Sequence, residues 1–122
     1  MNILLAKSLP LETAELIEFF QSRGNSVYIA NDSKAVYMML SLYSIDLVYF
    51  DARMIEDFNL IAYINQYYPD TKVIVSSEAS LCNAVTNVRE GIFSTLKRPF
   101  HLKQLNNLVQ EIVDNKQITY KK

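Results

Sequence analysis

The chain has 122 residues and a formal net charge of -1, and half of its residues are apolar. That length predicts one domain with a real core and is too short for two domains. A charge near zero argues against a nucleic-acid binder, because contacts with duplex phosphates need a cationic excess. The single cysteine, Cys82, excludes an intramolecular disulfide and a cysteine-based metal cage.

Membrane and secretion signals are both missing from the sequence pattern. No apolar run approaches the roughly 20 residues that a helix needs to span a bilayer, so we expect no membrane contact. The first residues carry no positive region and no small-residue cleavage site of the kind that marks a secretion signal. We therefore expect a cytoplasmic protein.

Strand patterns and helix patterns alternate along the chain. Short apolar runs typical of strands occur at residues 3–6, 26–30, 45–50, 72–76 and 94–97. Apolar residues at helical spacing follow them at residues 11–22, 34–43, 58–67, 81–90 and from 102 onward. Gly24 is placed to end the first helix, and Asp32 or Ser33 to begin the second. Residues 1–115 are predicted to form the domain, and residues 116–122 a frayed tail without apolar period.

This alternation predicts an α/β fold with a parallel sheet and helices on both of its faces. The strands at 47–50 and 73–75 are apolar without alternation, as expected for strands that are covered on both sides. With right-handed crossovers, the natural choice at this length is a flavodoxin-like, doubly wound (βα)5 arrangement with five parallel strands. Its central strands would be the first, third and fourth.

Polar residues stand at the predicted carboxyl ends of these strands, where ligands and chemistry lie in an open α/β sheet. Asp51 ends the third strand, and two serines, Ser76 and Ser77, end the fourth. The first strand is followed by a lysine and a serine at positions 7–8, and the fifth by a basic pair at 97–98. The carboxylate of Asp51 is therefore the candidate reactive group.

Over nearly its whole length the chain resembles the receiver domain of two-component response regulators. The resemblance is carried by the strand that ends in Asp51, by Val-Ile-Val-Ser-Ser at 73–77 and by Leu-Lys-Arg-Pro-Phe at 96–100. The last stretch is similar to the family's Lys-Pro-Phe motif, with Arg98 in the lysine position. The segment 84–93 is also similar to receivers of the NtrC type. The resemblance implies a flavodoxin-like signalling domain that is not itself an enzyme.

The resemblance assigns roles to three residues of this sequence. Asp51 matches the aspartate that accepts a phosphoryl group from a histidine kinase. Ser77 matches the switch hydroxyl, and Arg98 the lysine, that contact the phosphoryl oxygens. Arg98 preserves the charge but not the shape of that lysine, because a planar guanidinium differs from a compact ammonium.

Three further residues depart from the family pattern. Lys7 and Ser8 stand where the family has the acidic pair that holds Mg²⁺, and Thr95 stands where it has a switch aromatic residue. Mg²⁺ is bound by oxygen ligands with net negative charge. At an effective dielectric near 20, a unit charge pair about 4 Å apart contributes roughly 4 kcal/mol. Replacing two carboxylates by an ammonium should therefore remove most of the metal affinity, and we expect no metal site and no other cofactor.

The basic residues suggest what replaces the metal. One hypothesis is that Lys7, Arg98 or both pair with Asp51 and keep the pocket neutral, with Lys97 taking part if the register is one residue off. The alternative is that the side chain of Lys7 extends into solvent. A separate alternative is that Asp51 is a relic that accepts hydrogen bonds from loop amides.

Three classes of function remain. The first is an atypical receiver that acts mainly as a phosphorylation-independent protein-interaction module. The second is a phosphorelay receiver that accepts a phosphoryl group on Asp51 with an altered metal site. The third, a small enzyme or flavin carrier, is disfavoured because the loop at 6–10 lacks the glycines that wrap a phosphate.

The resemblance also implies a partner surface. It lies on the face of the fourth helix, fifth strand and last helix, at about residues 81–115, and the partner is a histidine kinase, an output domain or a regulator. Homodimerisation through the same face is an open alternative. No contact with nucleic acid is expected.

Overall fold

The computed structural model describes residues 1–6, 10–51, 57–77, 94–97 and 100–120. The strands in this part of the chain are β1 (Asn2–Ala6), β2 (Ser26–Ala30), β3 (Leu47–Asp51), β4 (Lys72–Ser77) and β5 (Ser94–Lys97). Its helices are α1 (Pro10–Gln21), α2 (Ser33–Leu42), α3 (Asp57–Tyr67) and a C-terminal helix (Leu102–Tyr120). No helix of the described segments is long and apolar enough to cross a bilayer.

The strands form one parallel sheet in the order β2-β1-β3-β4-β5. This order places β1, β3 and β4 at the centre, as the sequence predicts. All five residues of β3 are buried, which explains why its sequence shows no alternation of apolar and polar residues. The predicted α/β, flavodoxin-like fold is confirmed.

Two apolar layers cover the sheet, because successive side chains of a strand point to opposite faces. Val48 and Phe50 of β3 belong to the layer that includes residues of α2 and α3. Leu47 and Tyr49 belong to the layer that includes residues of α1 and the C-terminal helix. Full burial of a large apolar side chain contributes roughly 1.5–3 kcal/mol. These layers therefore fix which residues of each strand face which helices.

Local signals in the sequence set two of the element ends. The Asp32 carboxylate accepts a hydrogen bond from the Ala35 backbone N–H at 2.7 Å and caps α2. Gly24 has a φ of +80° just after α1, a conformation that other residues rarely adopt. Both were predicted from the sequence.

The C-terminal helix extends further than the sequence pattern suggests. It runs to Tyr120 and so includes most of the segment predicted to be a frayed tail. No proline or glycine interrupts the sequence between Leu102 and Tyr120, so nothing in the backbone stops the helix. A hydrogen bond of 3.1 Å from Gln110 Nε2 to Asp114 Oδ1 supports the turn before this segment. The helix predicted at 81–90 lies outside the described residues.

Candidate functional site

The carboxyl ends of β3 and β4 bring two polar side chains together. Asp51, the last residue of β3, is in register with Ser76 of β4, and both side chains are fully buried. Tyr49 and Ile74, two residues earlier on each strand, belong to the layer on the α1 side. Since side chains alternate along a strand, Asp51 and Ser76 face that same side of the sheet.

Ser76 is a candidate functional residue to which the sequence analysis assigned no role. Its hydroxyl is buried and has no hydrogen-bond partner in the described structure. Leaving a buried hydroxyl unsatisfied costs about 1–3 kcal/mol, so its presence beside Asp51 calls for an explanation other than packing. The sequence offers two adjacent serines, and only the pairing of β3 with β4 distinguishes them.

Ser77, the serine predicted to contact a phosphoryl group, is the next residue of β4. It lies in register with Lys97 of β5, and Ser76 lies in register with Leu96. The backbone positions of Ser77 and Thr95 are part of the sheet, but their side chains lie outside the described residues. The roles predicted for these two residues therefore stay predictions.

Three other residues that the sequence predicts near Asp51 are likewise not described. Lys7, Ser8 and Arg98 lie outside the described residues. The strand register gives only their neighbourhood: Ala6, which precedes Lys7, is in register with Phe50, which precedes Asp51. The pairing of Asp51 with Lys7 or Arg98 stays a hypothesis.

The donor groups that the described residues place around Asp51 do not make up a Mg²⁺ site on their own. Mg²⁺ requires a near-octahedral set of oxygen ligands and is usually held by one or two carboxylates together with waters or phosphate oxygens. Beside Asp51 the described residues supply the Ser76 hydroxyl, and no cluster of three or more His, Cys, Asp or Glu side chains occurs in the described segments. The sequence after β1 reads Lys-Ser-Leu at 7–9, without a carboxylate.

The end of the predicted basic-Pro-Phe motif packs against the strand that carries Asp51. The ring of Phe100 lies 6.5 Å from the ring of Tyr49, measured between centroids. Phe100 is half-buried and packs against the α1-side layer, on the same side of the sheet as Asp51. The aromatic residue of the motif therefore anchors the chain after β5 near the candidate site.

The predicted partner face is described only in part. Residues 81–93 lie outside the described residues, whereas Leu96 of β5 is buried. On the C-terminal helix, Leu105 and Ile112 are fully buried against the sheet, and Leu102 is 42% exposed. Leu102 is the large apolar side chain that this helix leaves exposed among its described residues.

Comparison with known proteins places this architecture among solved structures. No protein-family model matches the chain, and no curated protein does. A response regulator receiver domain protein from Clostridium thermocellum is 22% identical, with a TM-score of 0.81 over 97% of this chain and 98% of that one. A response regulator from Thermotoga maritima is 25% identical, with a TM-score of 0.81 over 93% and 97% of the two chains.

A longer protein contains the same fold. NtrX from Brucella abortus is 14% identical and has a TM-score of 0.86 over 98% of this chain, which covers 28% of NtrX. The α/β sheet with a carboxylate at the end of its central strand is thus a doubly wound architecture. More specifically, the chain has the fold of response regulator receiver domains, and the resemblance predicted from the sequence is confirmed at the level of the fold.

Proposed function

We propose that this chain is an atypical receiver domain that acts in signal transduction mainly through protein contacts that do not depend on phosphorylation. The observation that carries the proposal is the setting of Asp51. Its carboxylate ends β3 and is fully buried, while the sequence after the neighbouring β1 supplies Lys7 and Ser8 and no acidic pair. An aspartate in this setting lacks the neighbouring acidic pair that would hold a metal ion for phosphoryl transfer.

Phosphoryl transfer depends on positioning the reacting groups and on cations that neutralise the phosphoryl oxygens. The full burial of the Asp51 carboxylate disfavours its direct in-line attack on a small phosphodonor. The donor groups that the described residues supply beside Asp51 do not make up a Mg²⁺ site, so the proposal takes the neutralising charge from basic side chains. We propose that Lys7, Arg98 or both provide a permanent positive charge near Asp51 and hold the pocket in one state.

The second candidate function is a phosphorelay receiver that accepts a phosphoryl group on Asp51. The observation that favours it is Ser76, whose buried hydroxyl has no partner in the described structure and lies in register with Asp51. A hydroxyl in this position is placed to donate a hydrogen bond to a phosphoryl oxygen. Ser76 would then take the role that the resemblance to receiver domains assigns to Ser77.

The partner under either function is another protein: a histidine kinase, an output domain or a regulator. The surface we propose for it is the face of β5 and the C-terminal helix, with the exposed Leu102 at its edge. Self-association through this face is the alternative. We propose that the domain has no enzymatic activity of its own and works in the cytoplasm.

Backbone amide spectra test whether the domain responds to phosphodonors. Phosphoramidate with Mg²⁺ is added to the ¹⁵N-labelled protein, and an Asp51→Asn variant receives the same mixture. The proposal predicts that the amides of β3, β4 and β5 keep their positions in both proteins. A new set of strand-end resonances in the unmodified protein, absent from Asp51→Asn, would instead establish the phosphorelay function.

A further inference from the structure

A second concave site lies at the opposite end of the sheet from Asp51. It is a cavity of about 510 Å³ between the carboxyl-terminal ends of α2 and α3, next to the residues that lead into β3 and β4. We call it the tyrosine groove. Its lining includes Leu42, Tyr43, Asp46, Tyr67, Tyr68 and Asp70.

Large side chains stand exposed around the tyrosine groove. Leu42 is 64% exposed, Tyr67 60% and Tyr43 42%. Exposed tyrosines beside a cavity are typical of protein-binding surfaces, because a tyrosine supplies a large contact area and loses little conformational entropy. The composition of the groove therefore favours a protein segment as its occupant.

The rings are already held in place. Tyr43 is stacked on Tyr28 with ring centroids 4.4 Å apart, and Tyr67 lies 4.8 Å from Tyr63. Tyr63 also contacts Tyr68, at 6.2 Å. Side chains that are fixed before binding lose little freedom when a partner arrives, which lowers the entropic cost of association.

The described residues that line the groove carry acidic groups and no basic ones. Both α2 and α3 end here, and neither has a basic residue in its last turn. The carboxyl end of a helix carries the equivalent of about half a negative charge. Asp46 and Asp70 add carboxylates, and the described lining contains no lysine, arginine or histidine. One oxygen of Asp46 accepts a hydrogen bond from the Asn2 backbone N–H at 2.8 Å, which fixes this carboxylate at the groove.

We propose that the tyrosine groove binds a segment of a partner protein through an arginine or lysine side chain. Tyrosine rings attract a cation placed over their faces, and the two helix ends and the carboxylate of Asp70 strengthen this attraction. The aliphatic stem of the basic side chain packs against Leu42. An arginine is favoured over a lysine, because its planar guanidinium stacks on aromatic rings and is more weakly hydrated.

Two short peptides that differ only in charge test the proposal. The probes are acetyl-Leu-Arg-Leu-amide and acetyl-Leu-citrulline-Leu-amide, in which citrulline keeps the shape of arginine without its charge. Each is titrated into the ¹⁵N-labelled protein. We expect the arginine peptide to shift amides of residues 41–46 and 67–71, and to bind at least about fivefold more tightly than the citrulline peptide.

Variants on the groove surface connect this binding to named residues. Tyr67→Ala should weaken binding of the arginine peptide by about fivefold, while Tyr67→Phe should retain most of it, because the ring carries the interaction. Met38→Ala is the matched control: Met38 is an exposed residue of α2 that does not line the groove, and its loss should leave binding unchanged. Circular dichroism verifies that each variant is folded.

Three results would overturn the proposal. The first is that the arginine peptide shifts no groove amides, or shifts others instead. The second is equal binding of the arginine and citrulline peptides. The third is a shift of the groove amides when the free protein is diluted, which would identify a second copy of the chain as the occupant. None of these results depends on whether Asp51 accepts a phosphoryl group.

Discussion

Asp51 and Ser76 lie directly opposite each other on β3 and β4, and both side chains are completely buried. The pairing sets a carboxylate beside a hydroxyl at the carboxyl end of the sheet, where open α/β folds place their chemistry. The hydroxyl makes no hydrogen bond in the described structure. The pair therefore lies where a reactive site is expected. The sequence, however, has Lys7 and Ser8 where receiver domains have the acidic pair that holds a metal ion.

The first prediction concerns the contribution of Ser76 to stability. Replacing Ser76 by alanine removes a buried hydroxyl that has no partner in the described structure, so no hydrogen bond is lost. We expect Ser76→Ala to change the free energy of unfolding by less than about 1 kcal/mol or to raise it. Urea denaturation measures this value.

Thr71 offers a matched comparison for Ser76. Its Oγ1 donates a hydrogen bond of 2.7 Å to the Ile45 backbone carbonyl. Thr71→Val removes that bond and leaves the carbonyl short of a donor, so it should destabilise the domain by about 1 kcal/mol or more. If Ser76→Ala proves as destabilising as Thr71→Val, Ser76 has a structural partner and loses its status as a functional candidate.

The second prediction concerns the metal. Isothermal titration calorimetry of the unmodified protein should detect no Mg²⁺ binding at millimolar concentrations. Replacing both Lys7 and Ser8 by aspartate exchanges a cation for two anions in the segment that follows β1, and at effective dielectrics near 20 this should raise Mg²⁺ affinity by at least about tenfold. Millimolar or tighter binding to the unmodified protein, lost in Asp51→Asn, would refute the argument from the missing acidic pair.

The third prediction concerns alkaline pH. Desolvation, followed by the nearby hydroxyls of Tyr68, Tyr37 and Tyr67, raises the pKa of Tyr63 above its ordinary value of 10.0. The unfolded chain therefore loses this proton at a lower pH than the folded one. The contribution to stability is fully present below about pH 10 and is lost as the pH rises through the raised pKa.

Urea denaturation between pH 8 and 11.5 measures this loss. Tyr63→Phe removes the titrating group and should show a shallower decline of unfolding free energy above about pH 10 than the unmodified protein. Tyr43→Phe, which removes a hydroxyl away from the contacts of Tyr63, is the control for general effects of the substitution. If the unfolding free energy of Tyr63→Phe falls as steeply above about pH 10 as that of the unmodified protein, the raised pKa of Tyr63 is contradicted.

The fold was accessible from the sequence because local signals agreed with each other. The apolar run of β3, the cap at Asp32 and the glycine at position 24 each indicate an element or its end, and the structure has all three. The central position of β3 followed from topology rules for parallel sheets, which restrict a short alternating chain to few arrangements.

The finer features of the two sites depend on contacts between distant parts of the chain. Ser76 and Ser77 are neighbours in sequence, and the register with Asp51 becomes visible only when β3 and β4 are paired. Likewise, Tyr43 follows the end of α2 and Tyr67 ends α3, and the groove between them exists only because both helices end at the same edge of the sheet. Neither relationship leaves a periodic pattern in the sequence.

The most direct test of the central claim is whether Asp51 becomes phosphorylated. The protein is incubated with acetyl phosphate and Mg²⁺, and its intact mass is measured beside that of an Asp51→Asn variant treated in the same way. The account predicts that the unmodified protein gains no phosphoryl group. A stoichiometric phosphoryl adduct that is absent from Asp51→Asn would contradict it and make the chain a working receiver.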